Sequence, residues 1–326
     1  MRFLQYGIKH AIASNFPISD ALIGRKQRSQ INSSNCDSRI LNLLKSPNGV
    51  AIGRLGGTEG RYLGDLIKVY GATRSIGHLH QRFARYDLEK RRSEVNSNAG
   101  FFFLDHTEEL EFMELYLKSL RNLDALGAWG DAFTWAESIA SENLSVDILP
   151  LAALSPWVEP FPYLNPFAAN EPWTIGLRGL KVLVVSPFSE SIKAQRSKIS
   201  KCFEGVGYPE FELITVTAPM TFNLKADAKN NWFANLDNLY SQVKSSEFDV
   251  AFVGAGAYSL PLVSKIKDLG RKAIHTGGGT QLFFGVMGNR WNHAPYVQKY
   301  VNENWVRPSL GEIPVSAQTI EDGCYW

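Results

Sequence analysis

The sequence has 326 residues, which is enough for one large or two medium domains. Its composition, 44% hydrophobic and 20% charged residues, is typical of a globular protein, and a net charge of +2 is too small to favour nucleic acid as a partner. The three cysteines lack the spacing of a disulfide framework or a zinc site, and the sequence contains no secretory leader and no long apolar run. We therefore expect a cytoplasmic protein without a membrane span, and we leave peripheral membrane association open.

The first half of the chain contains one predicted strand and several predicted helices. Ser38 is a predicted cap of a short helix, and residues 50–55 form a predicted strand. Residues 59–70 form a predicted helix with an apolar face, and Asp105 followed by Glu108 resembles the capping box of a further helix. This half therefore combines strand and helix, as an α/β protein does.

Residues 150–175 differ in composition from the rest of the chain, with six prolines and several aromatic side chains. Prolines at this density exclude a helix, so the segment is predicted to be a connection that packs its aromatic rings on the body. We accordingly divide the chain into an N-terminal helical and extended segment, 1–47, and a main domain, 48–326, with a sub-boundary at 150–178.

The second half alternates predicted strands with predicted helices. The strands are predicted at residues 181–188, 211–219, 249–256 and 271–278. The helices between them are predicted at residues 189–203, 235–244 and 259–270. This alternation predicts an α/β fold, with a Rossmann-like, mostly parallel sheet flanked by helices and a helical N-terminal part. Such sheets bind ligands at the carboxyl ends of their strands, so the loops at those ends are where we look for chemistry.

The first of these loops, GRLGGTEG at residues 53–60, follows the predicted strand of the first half. Its glycine spacing matches neither the dinucleotide fingerprint nor the nucleoside-triphosphate loop. Arg54 is a residue type suited to phosphate. Glu59 falls in the first turn of the predicted helix, where a carboxylate either complements the helix dipole or takes part in chemistry. The loop therefore has the components of an anion site without a common signature.

The other strand ends carry further candidate ligand contacts. They are Ser186, Ser189 and Ser191; Gly254, Gly256 and Tyr258; and Gly277, Gly278, Gly279, Gln281 and Arg290. The serines either cap a helix or hold ligand hydroxyls, and the tyrosine either packs or stacks on a base or sugar. The glycines permit close approach of the backbone. We expect residues 274–291 to form a bed for a polar ligand; the alternative is an irregular loop with core aromatics.

Several other positions carry weaker signals. His78 and His80 have a metal-like spacing, which alone is a poor predictor of a site. Asp131 stands at a turn, either as a helix cap or as a second acid for general-base work. His275 is expected to be a packed, hydrogen-bonded histidine, and residues 88–94 are expected to form a solvated, basic helix face.

Three stretches together resemble bacterial glycosyltransferases of the GT-D fold. They are GRLGGTEG, VLVVSPFSESIKAQ and GAGAYSLPLVSKIKDLGRKAIHTGGGTQLFFGVMGNRW. The resemblance spans roughly residues 48–326 and is closest at residues 254–291. It implies a cytoplasmic enzyme of capsule, O-antigen or related surface glycan synthesis. Such an enzyme transfers a sugar from a nucleoside-diphosphate sugar to a polysaccharide, glycolipid or other lipid-linked glycan acceptor.

The resemblance also implies roles for particular residues. Members carry an Arg-x-Gly-Asp-x-Glu motif that binds a divalent metal and the nucleotide sugar. Arg54, Gly56 and Glu59 match this motif, whereas Gly57 takes the place of the aspartate. The resemblance thus implies a nucleotide-sugar site, with Glu59 as the remaining ligand for Mn²⁺ or Mg²⁺ and metal dependence in question. Glu59, or failing it Asp131, is then expected to activate the acceptor hydroxyl.

Two other functions remain open on the sequence alone. An enzyme dependent on NAD or S-adenosylmethionine calls for an acidic residue about 20 positions after the first glycine loop, and residues 70–80 contain none. A non-catalytic module that binds carbohydrate or a partner of the glycan assembly machinery fits the missing aspartate. Such a module would tolerate the loss of Glu59.

Overall fold

The computed structural model describes residues 35–70, 78–128, 147–150, 172–205, 208–227 and 230–326. Within this part of the chain seven parallel strands form one sheet, in the order β3-β2-β1-β7-β6-β4-β5. The strands are β1 Val50–Arg54, β2 Ala125–Ala128, β3 Asp147–Pro150, β4 Lys181–Ser186, β5 Glu212–Thr217, β6 Val250–Val253 and β7 Lys272–His275. The predicted α/β fold with a parallel sheet is confirmed.

The α-helices of the described residues lie on both faces of the sheet. They are α1 Cys36–Leu44, α2 Gly57–Tyr70, α3 His78–Ala99, α4 His106–Arg121, α5 Ser189–Gln195, α6 Ile199–Cys202, α7 Trp232–Ser245, α8 Ser259–Asp268 and α9 Pro295–Gln298. Two predictions are wrong in detail. Ser38 does not cap α1, because this helix already begins at Cys36 after a left-handed Asn35. The single helix predicted at residues 189–203 is divided into α5 and α6.

Burial explains why these segments are strands. β6 is buried at every position, as expected of an apolar strand covered on both faces. β5, at the sheet edge, has two buried positions, Leu213 and Val216, among more exposed ones. One core cluster contains Leu63 of α2 and Leu262 of α8, and the other contains Ile40 of α1 and Ile192 of α5. The sheet therefore has a separate core on each face, and α1 belongs to the second one.

The connections bring four loops to one place. From β1 the chain runs outward to β2 and β3, and from β4 it runs outward in the other direction to β5. It then returns to the centre with β6 and β7, which fill the space between β1 and β4. Since all the strands are parallel, the loops after β1, β4, β6 and β7 meet at one edge of the sheet.

A buried carboxylate joins α2, α3 and α4. Glu109 is fully buried; its Oε1 accepts hydrogen bonds from Tyr62 Oη at 2.6 Å and Arg92 Nε at 2.9 Å. Its Oε2 accepts from Arg92 Nη2 at 2.7 Å and lies 2.9 Å from His106 Nδ1. Burial alone would raise the pKa of Glu109, but the hydrogen bonds from Arg92, Tyr62 and His106 outweigh it and lower the pKa. The prediction of a solvated basic face at residues 88–94 is therefore wrong for Arg92.

Candidate functional site

A cavity of about 310 Å³ opens at the carboxyl ends of the four central strands. Its walls come from the loops after β1, β4, β6 and β7 and from the segment after α9. The lining residues include Arg54, Gly56, Gly57, Thr58, Glu59, Arg61, Pro187, Phe188, Gly254, Gly256, His275, Gly277, Gly278, Arg290, Glu321, Tyr325 and Trp326. This volume is at the lower end of the range of small-molecule sites.

Nine of the residues that the sequence indicated as ligand contacts or motif positions meet in this cavity. They are Arg54, Gly56, Gly57, Glu59, Gly254, Gly256, Gly277, Gly278 and Arg290. They come from three separate strand ends and from the segment that follows β7. Their convergence follows from the parallel topology, because each precedes or follows the carboxyl end of a central strand.

The glycines after β7 make room for other parts of the chain. Gly277 has a left-handed φ of +58°, and a Cβ there would lie 2.7 Å from Arg54 Nη1. A Cβ on Gly278 would lie 2.7 Å from Tyr325 Cε1. The expectation that these glycines expose backbone to a ligand stays a prediction; the structure adds that their missing side chains leave room for Arg54 and Tyr325 in the cavity wall.

The predicted ligand bed at residues 274–291 is divided between cavity and core. Gly277 and Gly278 line the cavity, as expected of a bed. Phe283 and Phe284 are buried in the second core cluster, as the alternative of core aromatics held. Between these parts, residues Gly277–Phe284 form a helical segment of the 3₁₀ type.

The serines after β4 have structural roles. A carboxylate of the chain itself, that of Glu312, accepts backbone hydrogen bonds at the start of α5, including one of 3.1 Å from Ser191 N. It also accepts the hydroxyl hydrogen bonds of Ser191 and Ser309. Ser186 Oγ accepts from Phe188 N at 3.1 Å. The prediction that Ser186 and Ser191 contact a donor is corrected, because their hydroxyls bond within the protein and neither residue lines the cavity.

Three further predicted contacts also lie outside the cavity lining. Tyr258 is 1% exposed and stacks on Trp232, with ring centroids 4.7 Å apart. Gln281 is equally buried, and its Nε2 donates to the carbonyl of Tyr325 at 3.2 Å. Gly279 is absent from the lining. The predictions for Tyr258 and Gln281 are corrected: core packing and a backbone hydrogen bond take up these side chains.

Some candidate residues lie outside the part of the chain that the structure describes. Asp131 is among them, so its role as a second acid stays a prediction. His78 and His80 fall in the first turn of α3, but their side chains are likewise outside the described set. The proposed sub-boundary at 150–178 is also largely outside it.

Glu59 is the central acid of the cavity. It lies in the first turn of α2, and a Cβ on Gly56 would overlap its carboxylate. Burial raises the pKa of Glu59, and the charge of Glu321 raises it further, while Arg54 and Arg61 act in the opposite direction. The pKa of this carboxyl is therefore raised, which increases its affinity for a proton, the property that a general base uses.

The final six residues form a wall that the sequence reasoning missed. Glu321 pairs with the guanidinium of Arg290, which lies 4.7 Å from the centroid of the Tyr325 ring. The backbone amide of Asn289 donates to the carbonyl of Trp326 at 3.0 Å. In the sequence, the one sign of this wall is that residues 321–326, EDGCYW, contain two acidic and two aromatic residues within six positions. The wall also pairs a carboxylate, that of Glu321, with Arg290, which the sequence indicated as a ligand contact.

Arg61 is a second residue that the sequence reasoning missed. It is exposed and lines the cavity at the start of α2. Among the described residues no acidic side chain forms an ion pair with it. It follows Glu59 by two positions, and nothing in the local sequence distinguishes it from an ordinary surface arginine, so the sequence could not identify it as a site residue. Its charge is thus available to an anionic ligand.

His275 provides a neutral polar group at the end of β7. Its Nδ1 donates to the backbone carbonyl of Arg54 at 2.9 Å, as expected of a packed, hydrogen-bonded histidine. Burial, together with the charge of Arg54, lowers the pKa of His275 to about 3. The imidazole is therefore uncharged at neutral pH, with Nδ1 protonated and Nε2 as an acceptor.

We expect His275 to make folding stability depend on pH. Because its pKa is about 3 in the folded state against 6.5 ordinarily, the unfolded chain binds more protons between these values and stability falls as pH falls. From pH 7.5 to pH 5 the loss should be about 2 kcal/mol. Urea unfolding of the wild type and of His275→Gln at both pH values would measure it. An equal pH dependence of the two proteins would contradict the assignment.

The side chains of the cavity do not fit a resident divalent metal. In the described part of the chain no three His, Cys, Asp or Glu side chains come together. Glu59 has arginines on either side, Arg54 and Arg61, whose charges oppose that of a cation. Gly57 supplies no ligand atom from a side chain. The reaction proposed below therefore uses no metal ion.

Comparison of the chain with family models, curated proteins and solved structures gives no match. In the described residues, every helix is too short or too polar to cross a membrane. The assignment of a function accordingly depends on the chemistry of the cavity.

Proposed function

We propose that this protein is a glycosyltransferase that transfers a sugar from a nucleoside-diphosphate sugar to a glycan or lipid-linked glycan acceptor. One observation carries the proposal: a single cavity at the carboxyl ends of parallel strands contains arginines and a carboxyl of raised pKa, that of Glu59. A transferase of this kind needs both, because it must stabilise a departing diphosphate and accept a proton from the attacking hydroxyl.

The cationic side of the cavity suits the diphosphate. Arg54 and Arg61 line it together with the N-terminal turn of α2, where backbone amides favour an anion. Arg54 lies close to Gly277, whereas Arg61 is more exposed. Negative charge grows on the leaving diphosphate in the transition state, and fixed cations stabilise that charge.

The acidic side of the cavity suits the acceptor hydroxyl. The hydroxyl oxygen bonds to the anomeric carbon of the donor, the bond from that carbon to the diphosphate oxygen breaks, and the hydroxyl proton passes to Glu59. Glu321 increases the proton affinity of Glu59 through its charge. Tyr325 and Phe188 offer ring faces on which a base or sugar can stack.

A non-catalytic carbohydrate-binding module is the second candidate. The observation that favours it is Gly57, which stands where related transferases carry an aspartate. A binding module needs no proton acceptor, so loss of the Glu59 carboxylate would leave its affinity for glycan unchanged. The cavity offers no specific support for an enzyme that depends on NAD or S-adenosylmethionine.

A thermal-shift panel tests the proposed function. We expect one of UDP, GDP, CMP or dTDP to stabilise the protein, by about 2.7 kcal/mol at 100 times its dissociation constant. Arg61→Ala should weaken that nucleotide about ten-fold through the loss of a charge-assisted hydrogen bond. Arg178→Ala is the matched control, since Arg178 is exposed just before β4, at the opposite edge of the sheet.

Two outcomes would contradict this expectation: stabilisation by NAD or S-adenosylmethionine alone, or no stabilisation by any nucleotide. Repeating the panel with manganese addresses the metal that the family resemblance implies. Gly57→Asp is the positive control there, because a Cβ at Gly57 meets only Arg61 Nη1, at 3.5 Å. We expect this variant to respond to manganese more strongly than the wild type.

A further inference from the structure

A second depression, which we call the α3 groove, lies beside the cavity. It has a volume of about 410 Å³ and runs between α3, the segment before α4 and the loop after β5. One backbone wall separates the two: Asn98 and Phe222 line the cavity, whereas Asn96 and Asn223 line the groove. The two linings therefore adjoin along the chain, in α3 and in the segment after β5.

The wall between cavity and groove is braced by hydrogen bonds. Asn96 Nδ2 donates to the carbonyl of Leu224 at 2.7 Å, and Asn223 N donates to the carbonyl of Asn96 at 3.3 Å. Asn223 has a left-handed φ of 58°. The segment before α4 is also fixed, since Leu104 N donates to the Glu108 carboxylate at 2.6 Å. The groove is therefore preformed.

The groove combines apolar and polar groups in the manner of a sugar-binding surface. Leu104 and Leu224, which are 66% and 36% exposed, line it together with Phe103. Asn96 and Asn223 contribute amide groups. Sugar rings present apolar faces and hydroxyl edges, and this pairing of apolar contacts with amides matches both.

Among the described residues that line the groove, Lys225 contributes the positive charge that no carboxylate pairs. Its lining among the described residues contains Arg92 and Lys225 and no acidic side chain. Arg92 is held by Glu109 and Glu89. Lys225 is exposed and forms no ion pair within the described part of the chain. An occupant with negative charge near Lys225 would be complementary.

We infer that the α3 groove binds the acceptor and that this acceptor is an anionic glycan, with sugar rings on Phe103 and Leu104 and an acidic substituent near Lys225. The inference rests on the proposed function, because an acceptor exists only if the protein transfers a sugar. The binding itself is independent of any transfer reaction, so the two can fail separately.

The test is a titration of the full chain with oligogalacturonate as the anionic probe and maltohexaose as the neutral one. We expect oligogalacturonate to bind more tightly, and Lys225→Glu to weaken it about ten-fold. Leu104→Ser should weaken both probes. The matched controls are Lys244→Glu, an exposed lysine near the end of α7, and Ile175→Ser, an exposed apolar residue before β4.

Equal binding of oligogalacturonate to the wild type and Lys225→Glu would overturn the inference. So would co-sedimentation with phosphatidylglycerol vesicles that depends on Lys225 without any oligosaccharide binding, because the partner would then be a lipid surface. Each variant is also measured with the nucleotide panel. Binding of oligogalacturonate without any nucleotide effect would uphold the groove and refute the transferase, and the reverse result would refute the groove alone.

Discussion

Replacing Glu59 by glutamine should lower the rate of sugar transfer by about 10²- to 10⁴-fold, which is the usual contribution of a general base. The amide has nearly the same shape as the carboxylate but cannot take the hydroxyl proton. The dissociation constant of the nucleoside diphosphate, measured by calorimetry, should stay nearly constant. The rate would be measured as nucleoside diphosphate released from the sugar nucleotide of the base that the panel selects.

The control for this variant is Glu114→Gln, an exposed carboxylate of α4. Unchanged turnover in Glu59→Gln would remove Glu59 from the chemistry. A dependence on pH makes the test more specific: the base must be ionised, so kcat/KM should rise with pH through the pKa of Glu59. Glu321→Gln removes a charge that raises this pKa, and the rise should therefore move to lower pH.

Replacing Glu109 by alanine should lower the free energy of unfolding by about 3 kcal/mol, because the guanidinium of Arg92, which is 17% exposed, would lose its buried partner and keep only the exposed Glu89. Urea unfolding at pH 7.5 measures this difference. Glu111→Ala, an exposed position of the same helix, is the control and should change stability by less than about 0.5 kcal/mol. The double variant Glu109→Met with Arg92→Met should recover much of the loss, since it removes both buried charges.

The effect of Glu109 on acid stability has a definite sign. Its folded-state pKa lies below its ordinary value of 4.5, so its contribution is present above that pH and is lost as pH falls through the folded-state pKa. The contribution of His275 to folding stability is lost in a different interval, as pH falls from about 6.5. Glu109→Gln should therefore flatten the stability profile below about pH 4.5 and leave the interval above it unchanged. A change confined to the higher interval would contradict the assignment.

The fold was largely predictable from local pattern. β4 and β6 have continuous apolar sequences, and a strand covered by helices on both sides needs such a sequence. β2, with the sequence ALGA, escaped prediction because four residues, three of them Ala or Gly, are too few to show a periodicity. The start of α4 was predicted from Asp105 followed three positions later by Glu108. In the structure Asp105 accepts backbone hydrogen bonds from Thr107 and Glu108, as a cap should.

The candidate site was predictable only where a residue adjoins a strand end. Arg54 and Gly277 could be found in this way, since both positions follow from the strand pattern. Glu321 could not, because it reaches the cavity through the irregular chain after β7 and pairs there with Arg290. Ser191 was misassigned because its sequence context cannot show that Glu312, over a hundred positions away, accepts its hydroxyl hydrogen bond.

The position of β7 between β1 and β6 has a kinetic consequence. β1 and β7 pair through Val50–Lys272 and neighbouring residues, so the centre of the sheet joins segments more than 200 positions apart. Closing so long a loop is entropically unfavourable, and folds rich in such contacts form slowly. The cavity needs this pairing, because Arg54 enters it from one strand and Gly277 from the other. During refolding, helical signal should therefore return well before the capacity to bind a ligand.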